Sequence, residues 1–166
     1  MIIESVKAYN FRRLKLDKPL VLGKGLTVIR GCNESGKSTL IEAILYGLYG
    51  DASIFSKFRG AGRRLEDVVN YSSSKMYVEV VFRVGDNRYR VYRVVEKIGD
   101  SARQTIAKLE NPTNRRLIAV GVTRVRREIE RIVGVSWKEM LATNVVAQKD
   151  LDHLIKLRKS DRESII

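Results

Sequence analysis

Gly31-Cys-Asn-Glu-Ser-Gly36-Lys37-Ser38-Thr39, reached by the apolar run Leu26-Thr-Val-Ile29 and followed by Leu40-Ile-Glu-Ala-Ile-Leu45, sets the interpretation of this chain. The order is apolar run, glycine-bounded loop, then a helix-forming stretch. Gly31 and Gly36 allow the backbone to turn tightly and aim its N–H groups inward, where a side chain would obstruct an approaching anion. Lys37 supplies a positive charge for β- and γ-phosphates, Ser38 a hydroxyl ligand for Mg²⁺, and Thr39 a further hydroxyl. The N-terminus of the following helix directs its positive dipole end to the same place. The four fixed positions of the motif would coincide by chance in a chain of this length with a probability of about 1% or less. The segment therefore implies binding of a nucleoside triphosphate such as ATP with Mg²⁺, with contacts from Asn33, Glu34, Ser35, Gly36, Lys37, Ser38 and Thr39.

On the N-terminal side of the loop, Leu26–Ile29 is expected to be a buried strand that feeds it, and Ile2 to Tyr9 a strand before that. Lys37 to Tyr49 is expected to be helical, with Leu40, Ala43, Ile44 and Leu48 on one stripe and Gly50 ending it. Residues 51–70 form a basic connector, with Gly60 and Gly62 among Arg59, Arg63 and Arg64, that turns helical near Leu65. Met76–Val84 and Arg88–Val95 face each other across Gly85-Asp-Asn87, and Thr105–Leu109 and Arg116–Ala119 across Asn111-Pro-Thr-Asn114, which predicts an antiparallel meander over 76–119. Thr123 is the expected N-cap of a helix that carries Val125, Ile129, Ile132 and Val133 and closes at Gly134. Ser136-Trp-Lys-Glu139 is a capping box for the next helix, and Ser160-Asp-Arg-Glu163 another at the chain end.

The 166 residues suit one globular domain, and 44% hydrophobic residues supply a core. No apolar stretch approaches a membrane span, and Met1-Ile-Ile-Glu4 begins like a strand rather than a signal peptide, so a soluble cytoplasmic chain without membrane contact is expected. The single cysteine, Cys32, excludes internal disulfides and Cys-based metal clusters, and the lone His153 has no second histidine with which to share a metal. Lys and Arg exceed Asp and Glu by 32 to 19, a net charge of +13. Such an excess of one sign predicts a polyanionic partner, with DNA the first candidate. Arg63, Arg64, Arg88 and Arg90 are the candidate contacts. Arg88, Arg90 and Arg93, with Tyr89 and Tyr92, suit either a nucleic-acid face or the protection of an edge strand.

Hydrolysis also needs an acidic residue after a continuous apolar strand. The nearest case, Val91-Tyr-Arg-Val-Val-Glu96, has Arg93 in its middle and lies in the predicted hairpin. The chain therefore reads either as a nucleotide-binding protein with unusual chemistry or as half of a split catalytic domain.

Four segments together resemble the N-terminal lobe of an ABC-type ATPase head of the SMC superfamily, of the Rad-fifty/SbcC DNA-repair type. Asn10-Phe-Arg-Arg13 resembles the segment that ends the first strand in that family and sends a basic side chain, Arg12 or Arg13 here, to the nucleotide. Gly31–Thr39 with Leu40-Ile-Glu-Ala-Ile44 resembles its phosphate loop and helix. Lys75–Phe82 and Tyr89–Arg93 resemble its antiparallel arm. Asn144-Val-Val-Ala-Gln148 resembles the segment that holds its Q-loop glutamine, which assigns Gln148 a catalytic role at the Mg²⁺ and water site.

The resemblance implies an α/β fold with a mixed sheet, in which residues 1–159 form the ATPase lobe and 160–166 begin a coiled-coil helix. It implies an ATPase whose signature loop and acidic strand come from a C-terminal lobe of the same protein. It further implies ATP-driven dimerisation of two heads, DNA as ligand, a nuclease as further partner, and a nucleoid-associated location. Glu34 stands where the repair enzymes usually have Gly, so the DNA-repair branch and a chromosome-organising or cytoskeleton-associated branch both stay open. A small-molecule P-loop kinase is a remoter reading, since such kinases usually begin with the loop.

Overall fold

Alternation of apolar and polar residues builds the sheet. The computed structural model describes residues 1–33, 35–59 and 64–146. Seven strands form one sheet: β1 (Ile2–Phe11), β2 (Leu14–Lys15), β3 (Leu20–Val21), β4 (Lys75–Val84), β5 (Asn87–Ile98), β6 (Ser101–Asn111) and β7 (Arg116–Val120). Their order is β2-β1-β4-β5-β6-β7, with β3 also paired to β1, and each pairing is antiparallel. The expected meander is present. Its two anticipated hairpins are joined by a third, between β5 and β6.

In β4 the even positions Met76, Val78, Val80 and Phe82 are buried, as period-2 patterning requires of a strand with one covered face. They stand opposite Val95, Arg93, Val91 and Tyr89 of β5, and the Phe82 and Tyr89 rings stack at 5.3 Å. On the other face Tyr77 stacks on Tyr9 at 5.9 Å and lies 5.9 Å from Tyr92, a cross-strand aromatic row that pins the register of β1, β4 and β5.

Four helices accompany the sheet: α1 (Lys37–Tyr49), α2 (Phe55–Arg59), α3 (Val122–Val133) and α4 (Trp137–Thr143). Helix α1 lies against β1, β4 and β5, and α3 against β6, β7 and α1. The core joins Phe11, Tyr46, Phe55, Val78, Val80, Phe82 and Ile129. Gly50 ends α1 and Gly134 ends α3, both left-handed as anticipated, and Ser136 and Glu139 form the reciprocal capping box of α4. Trp137 packs on this core.

Four expectations need correction. Leu26–Ile29 is not a buried strand: no regular element covers it, and Leu26 and Val28 are 91% and 64% exposed. A buried strand needs hydrogen-bonding neighbours, and no described strand pairs with it. The start of α3 is capped by Gly121 rather than Thr123, because the helix begins one residue earlier, at Val122. Residues 55–59 of the connector are helical, whereas Leu65–Asp67 forms only a 3-10 turn. Finally, β5 lies between β4 and β6, so its arginines do not protect an edge, and Arg93 belongs to no nucleic-acid face because it is 1% exposed.

Arg93 acts inside the fold. Its guanidinium donates to the carbonyls of Gly47 (2.8 Å) and Leu48 (2.7 Å), two of the acceptors that the last turn of α1 leaves unpaired. Burial pulls its pKa down to about 10. Arg126 of α3 reinforces the same end, with Nε donating to the Tyr49 carbonyl at 3.1 Å and Nη1 lying 2.9 Å from the Asp51 carboxylate.

Candidate nucleotide site

Helix α1 begins without a side-chain cap. Its N-cap is Gly36, left-handed at φ 94°, a conformation that L side chains seldom adopt. The first N–H groups of the helix are thus left to an anion. Gly31 is equally constrained, because a Cβ there would lie 2.5 Å from Ser35 Oγ. Lys37 Nζ folds back over the loop and donates to the carbonyls of Gly31 (2.8 Å) and Cys32 (2.7 Å), so the ammonium is held above the loop that it would share with phosphate.

These residues open into a cavity of ≈ 910 Å³ whose walls include Asn33, Ser35, Gly36, Lys37, Ser38 and Thr39. A second wall comes from the end of β1. Asn10 and Arg12 have φ of 56° and 52°, so the chain turns sharply on either side of Phe11, at strained positions that surrounding bonds must hold. Those bonds are present. Arg12 N donates to the Val68 carbonyl at 2.6 Å, Asn70 N donates to the Asn10 carbonyl at 2.8 Å, and the Asn70 amide donates to the Arg12 carbonyl.

Both arginines of Asn10-Phe-Arg-Arg13 reach the cavity in different roles. The Arg12 side chain lies over the Phe55 ring, and its Nε donates at 3.0 Å to Glu42, a fully buried carboxylate of α1. Its Nη1 donates to the Asp67 carbonyl at 3.3 Å, while Nη2 is buried without a partner. A guanidinium so clamped, with one donor left over, suits an anionic ligand whose arrival would complete its shell. Arg13 is exposed at the same wall.

Three cavity features escape a reading of the sequence. Glu42 reads as one acid in a helix, and only its place in an otherwise apolar run hinted at burial. Asn70 and Tyr71 sit in a Ser- and Asn-rich turn that signals loop and nothing more, and Lys97 is one lysine among many.

The other candidates fall elsewhere. Glu34, Arg63 and Gln148, together with the capping box at Ser160, lie outside the described residues. Arg64 is 3.4 Å from Glu66 and 3.6 Å from Asp67, Arg88 pairs with Glu4, and Arg90 pairs with Glu110. The structure thus sets these three beside carboxylates at separate places. Glu96, the nearest acid after an apolar strand, is in antiparallel β5 and bound by Lys75 at 2.8 Å, which holds its carboxyl below the usual range through hydrogen bonding. Among the described residues no helix is long and apolar enough to cross a membrane, and no group of three His, Cys, Asp or Glu side chains is placed to hold a metal ion.

Known proteins share this arrangement. The chain is 29% identical to a DNA double-strand break repair Rad50 ATPase of Thermoplasma volcanium across its whole length, and 31% identical to that of Sulfurisphaera tokodaii across 94% of it. It is 25% identical to the C component of the nuclease SbcCD of Rhodobacter capsulatus over 87%. The chain spans only 17%, 17% and 13% of those relatives. Among solved structures, the ATP-bound recombination mediator RecF of the RecFOR pathway superposes with a TM-score of 0.53 over 70% of this chain and 28% of RecF, at 25% identity. The resemblance drawn from the four segments is borne out, and so is the P-loop α/β fold. Matched by the AAA domain over residues 3–165, the chain belongs to that ATPase family and fits the N-terminal lobe of its Rad50- and SbcC-like members.

Proposed function

We propose that this chain is the ATP-binding lobe of a two-lobed ATPase head that couples nucleotide state to DNA binding in double-strand-break repair or chromosome organisation. The observation that carries it is the uncapped N-terminus of α1, which opens with Lys37 and Ser38 into a cavity large enough for a whole nucleotide. Lys37 would leave the Gly31 and Cys32 carbonyls for the β- and γ-phosphates. Arg12, kept in place by Glu42, would offer its spare Nη2 to the same ligand, and Arg13 would assist from the open wall.

Ser38 fits Mg²⁺ by chemistry, as a hard oxygen donor beside the phosphate-binding helix end, and Gln148 would join it there. Bound Mg²⁺ supplies charge neutralisation to the triphosphate. The rest of the catalytic apparatus would come from a C-terminal lobe, and two assembled heads would enclose the nucleotide. Two observations support a second lobe. Helix α1 is apolar nearly all round, as helices covered on both faces are, yet Ile41 is 41% exposed. Leu26, Val28 and Ile29 are exposed as well, in the run that leads into the loop. DNA, a partner nuclease and a nucleoid-associated cytoplasmic location follow from the same reading, supported by the net charge of +13 and by the named activities of the relatives.

Calorimetric titration with ATP tests the site. Lys37→Ala is expected to abolish measurable ATP binding while leaving the thermal transition in place, because Lys37 bonds only to loop carbonyls. Equal affinities of variant and wild type would refute the assignment.

A further inference from the structure

The phosphate loop accounts for one end of the cavity and leaves its other end without an assigned ligand group. The only aromatic side chain in the described wall is Tyr71, and it is 89% exposed. Single exposed aromatics are common on protein surfaces and mean nothing alone. Tyr71 differs in its support.

The turn that carries it is braced on three sides. Asn70, 6% exposed, receives hydrogen bonds at Oδ1 from Ser72 N (3.0 Å) and Ser72 Oγ (2.7 Å), and its carbonyl receives Ser73 N at 3.0 Å. Its own backbone and side-chain amides donate to the carbonyls of Asn10 and Arg12. One step further, Lys97 N of β5 donates to the Ser74 carbonyl at 2.7 Å. The turn is therefore tied both to the strained corner that presents Arg12 and to the sheet. An apolar ring is held out in solvent, on a fixed base, at the wall of a cavity whose far end is built for phosphates. Holding it there is unfavourable unless a flat apolar surface covers it.

We propose that Tyr71 is the stacking platform for the base of the bound nucleotide, and that the ligand class is purine nucleoside triphosphates. The inference rests on the nucleotide reading above and deepens it. Stacking on an aromatic ring accepts any base but favours the larger purine surface, so Tyr71 sets purine over pyrimidine and separates ATP from GTP little. The division of labour is physical: α1, Lys37 and Arg12 hold charge, and Tyr71 holds the base.

The test is calorimetry on the full chain with ATP, CTP and inorganic tripolyphosphate as separate probes, for wild type, Tyr71→Ala and Tyr71→Trp. Tyr71→Ala is expected to weaken ATP about tenfold, within the range that base–aromatic stacking gives, to leave tripolyphosphate unchanged, and to erase the preference for ATP over CTP. Tyr71→Trp should retain ATP affinity, and its indole fluorescence should change with ATP and not with tripolyphosphate. Unchanged ATP affinity in Tyr71→Ala would overturn the platform while the phosphate site stood. Equal losses of ATP and tripolyphosphate would overturn it too, by assigning Tyr71 to the phosphate end. A wild-type chain that binds neither ATP nor tripolyphosphate would strike the nucleotide reading itself.

Discussion

Arg93 shows how much one side chain depends on its neighbours. In the sequence it interrupts an apolar strand; in the fold it faces the same layer as Val91 and Val95 and satisfies the end of α1. Space there is tight, since a Cβ on Gly50 would lie 2.4 Å from Arg93 Nη1. Replacing Arg93 by Met keeps much of the volume and removes the donors, leaving two buried carbonyls unpaired. Each unsatisfied buried group costs about 1–3 kcal/mol. Arg93→Met is therefore expected to destabilise the chain by about 2 kcal/mol or more, which for a domain of this size lowers Tm by roughly 4–8 °C. A calorimetric scan checks it, and an unchanged Tm would mean that water replaces the guanidinium without cost. Glu42 and Arg12 follow the same logic at the site, where a buried carboxylate holds a cation in a position that neither residue specifies alone.

Among the elements, the packing of α1 on the sheet turns on Gly47. A Cβ there would meet Val80 Cγ2 at 2.5 Å and Val78 Cγ1 at 2.8 Å, so the helix sits as close as it does only because a side chain is missing. Two effects oppose each other in Gly47→Ala. Helix propensity favours Ala by about 1 kcal/mol. Overpacking a rigid contact costs about 1–3 kcal/mol, and the obstacles are sheet side chains rather than flexible chain ends. The second effect wins, and urea unfolding is expected to show a net loss of about 1 kcal/mol at unchanged m. A gain in stability would show that α1 moves away freely. Because the N-terminus of α1 is also the phosphate end, such a shift would reach the nucleotide site.

For the molecule as a whole, the exposed run Leu26–Ile29 and Ile41 mark where this lobe is unfinished on the proposed reading. Val28→Asp is expected to leave the stability of this chain within about 0.5 kcal/mol, since surface changes away from packed features rarely exceed that. The same change should abolish co-purification with the C-terminal lobe. Undiminished assembly would place the second lobe elsewhere. DNA binding by the assembled head is expected to be electrostatic, with the logarithm of affinity falling linearly against the logarithm of salt by about 0.9 per phosphate contacted. Arg64, Arg88 and Arg90 stand beside carboxylates at partly exposed positions, where ion pairs contribute about 0–1 kcal/mol and yield readily to phosphates. Removing one contacting arginine should flatten the slope by about one unit, whereas a complex insensitive to salt would assign the positive charge another purpose.

What the amino-acid order determined by itself is local: the phosphate loop, the extent of α1, the caps at Gly50, Gly134 and Ser136, and the hairpins of the meander. Each of these is written in a few adjacent residues whose backbone preferences or periodicity need no distant partner. Only the tertiary structure decided what depends on residues far apart in the chain. Arg93 reads as a flaw until the end of α1 comes to rest on it. Arg12 reads as a nucleotide contact until Glu42, thirty residues on, is found paired to it. Tyr71 reads as a loop residue until the turn at Asn70 is bonded to Asn10 and Arg12. Leu26–Ile29 fails in the opposite sense: its apolar pattern predicts burial correctly only where neighbouring strands exist to cover it. Burial and pairing belong to the assembled chain, because they are relations between segments that no single segment contains.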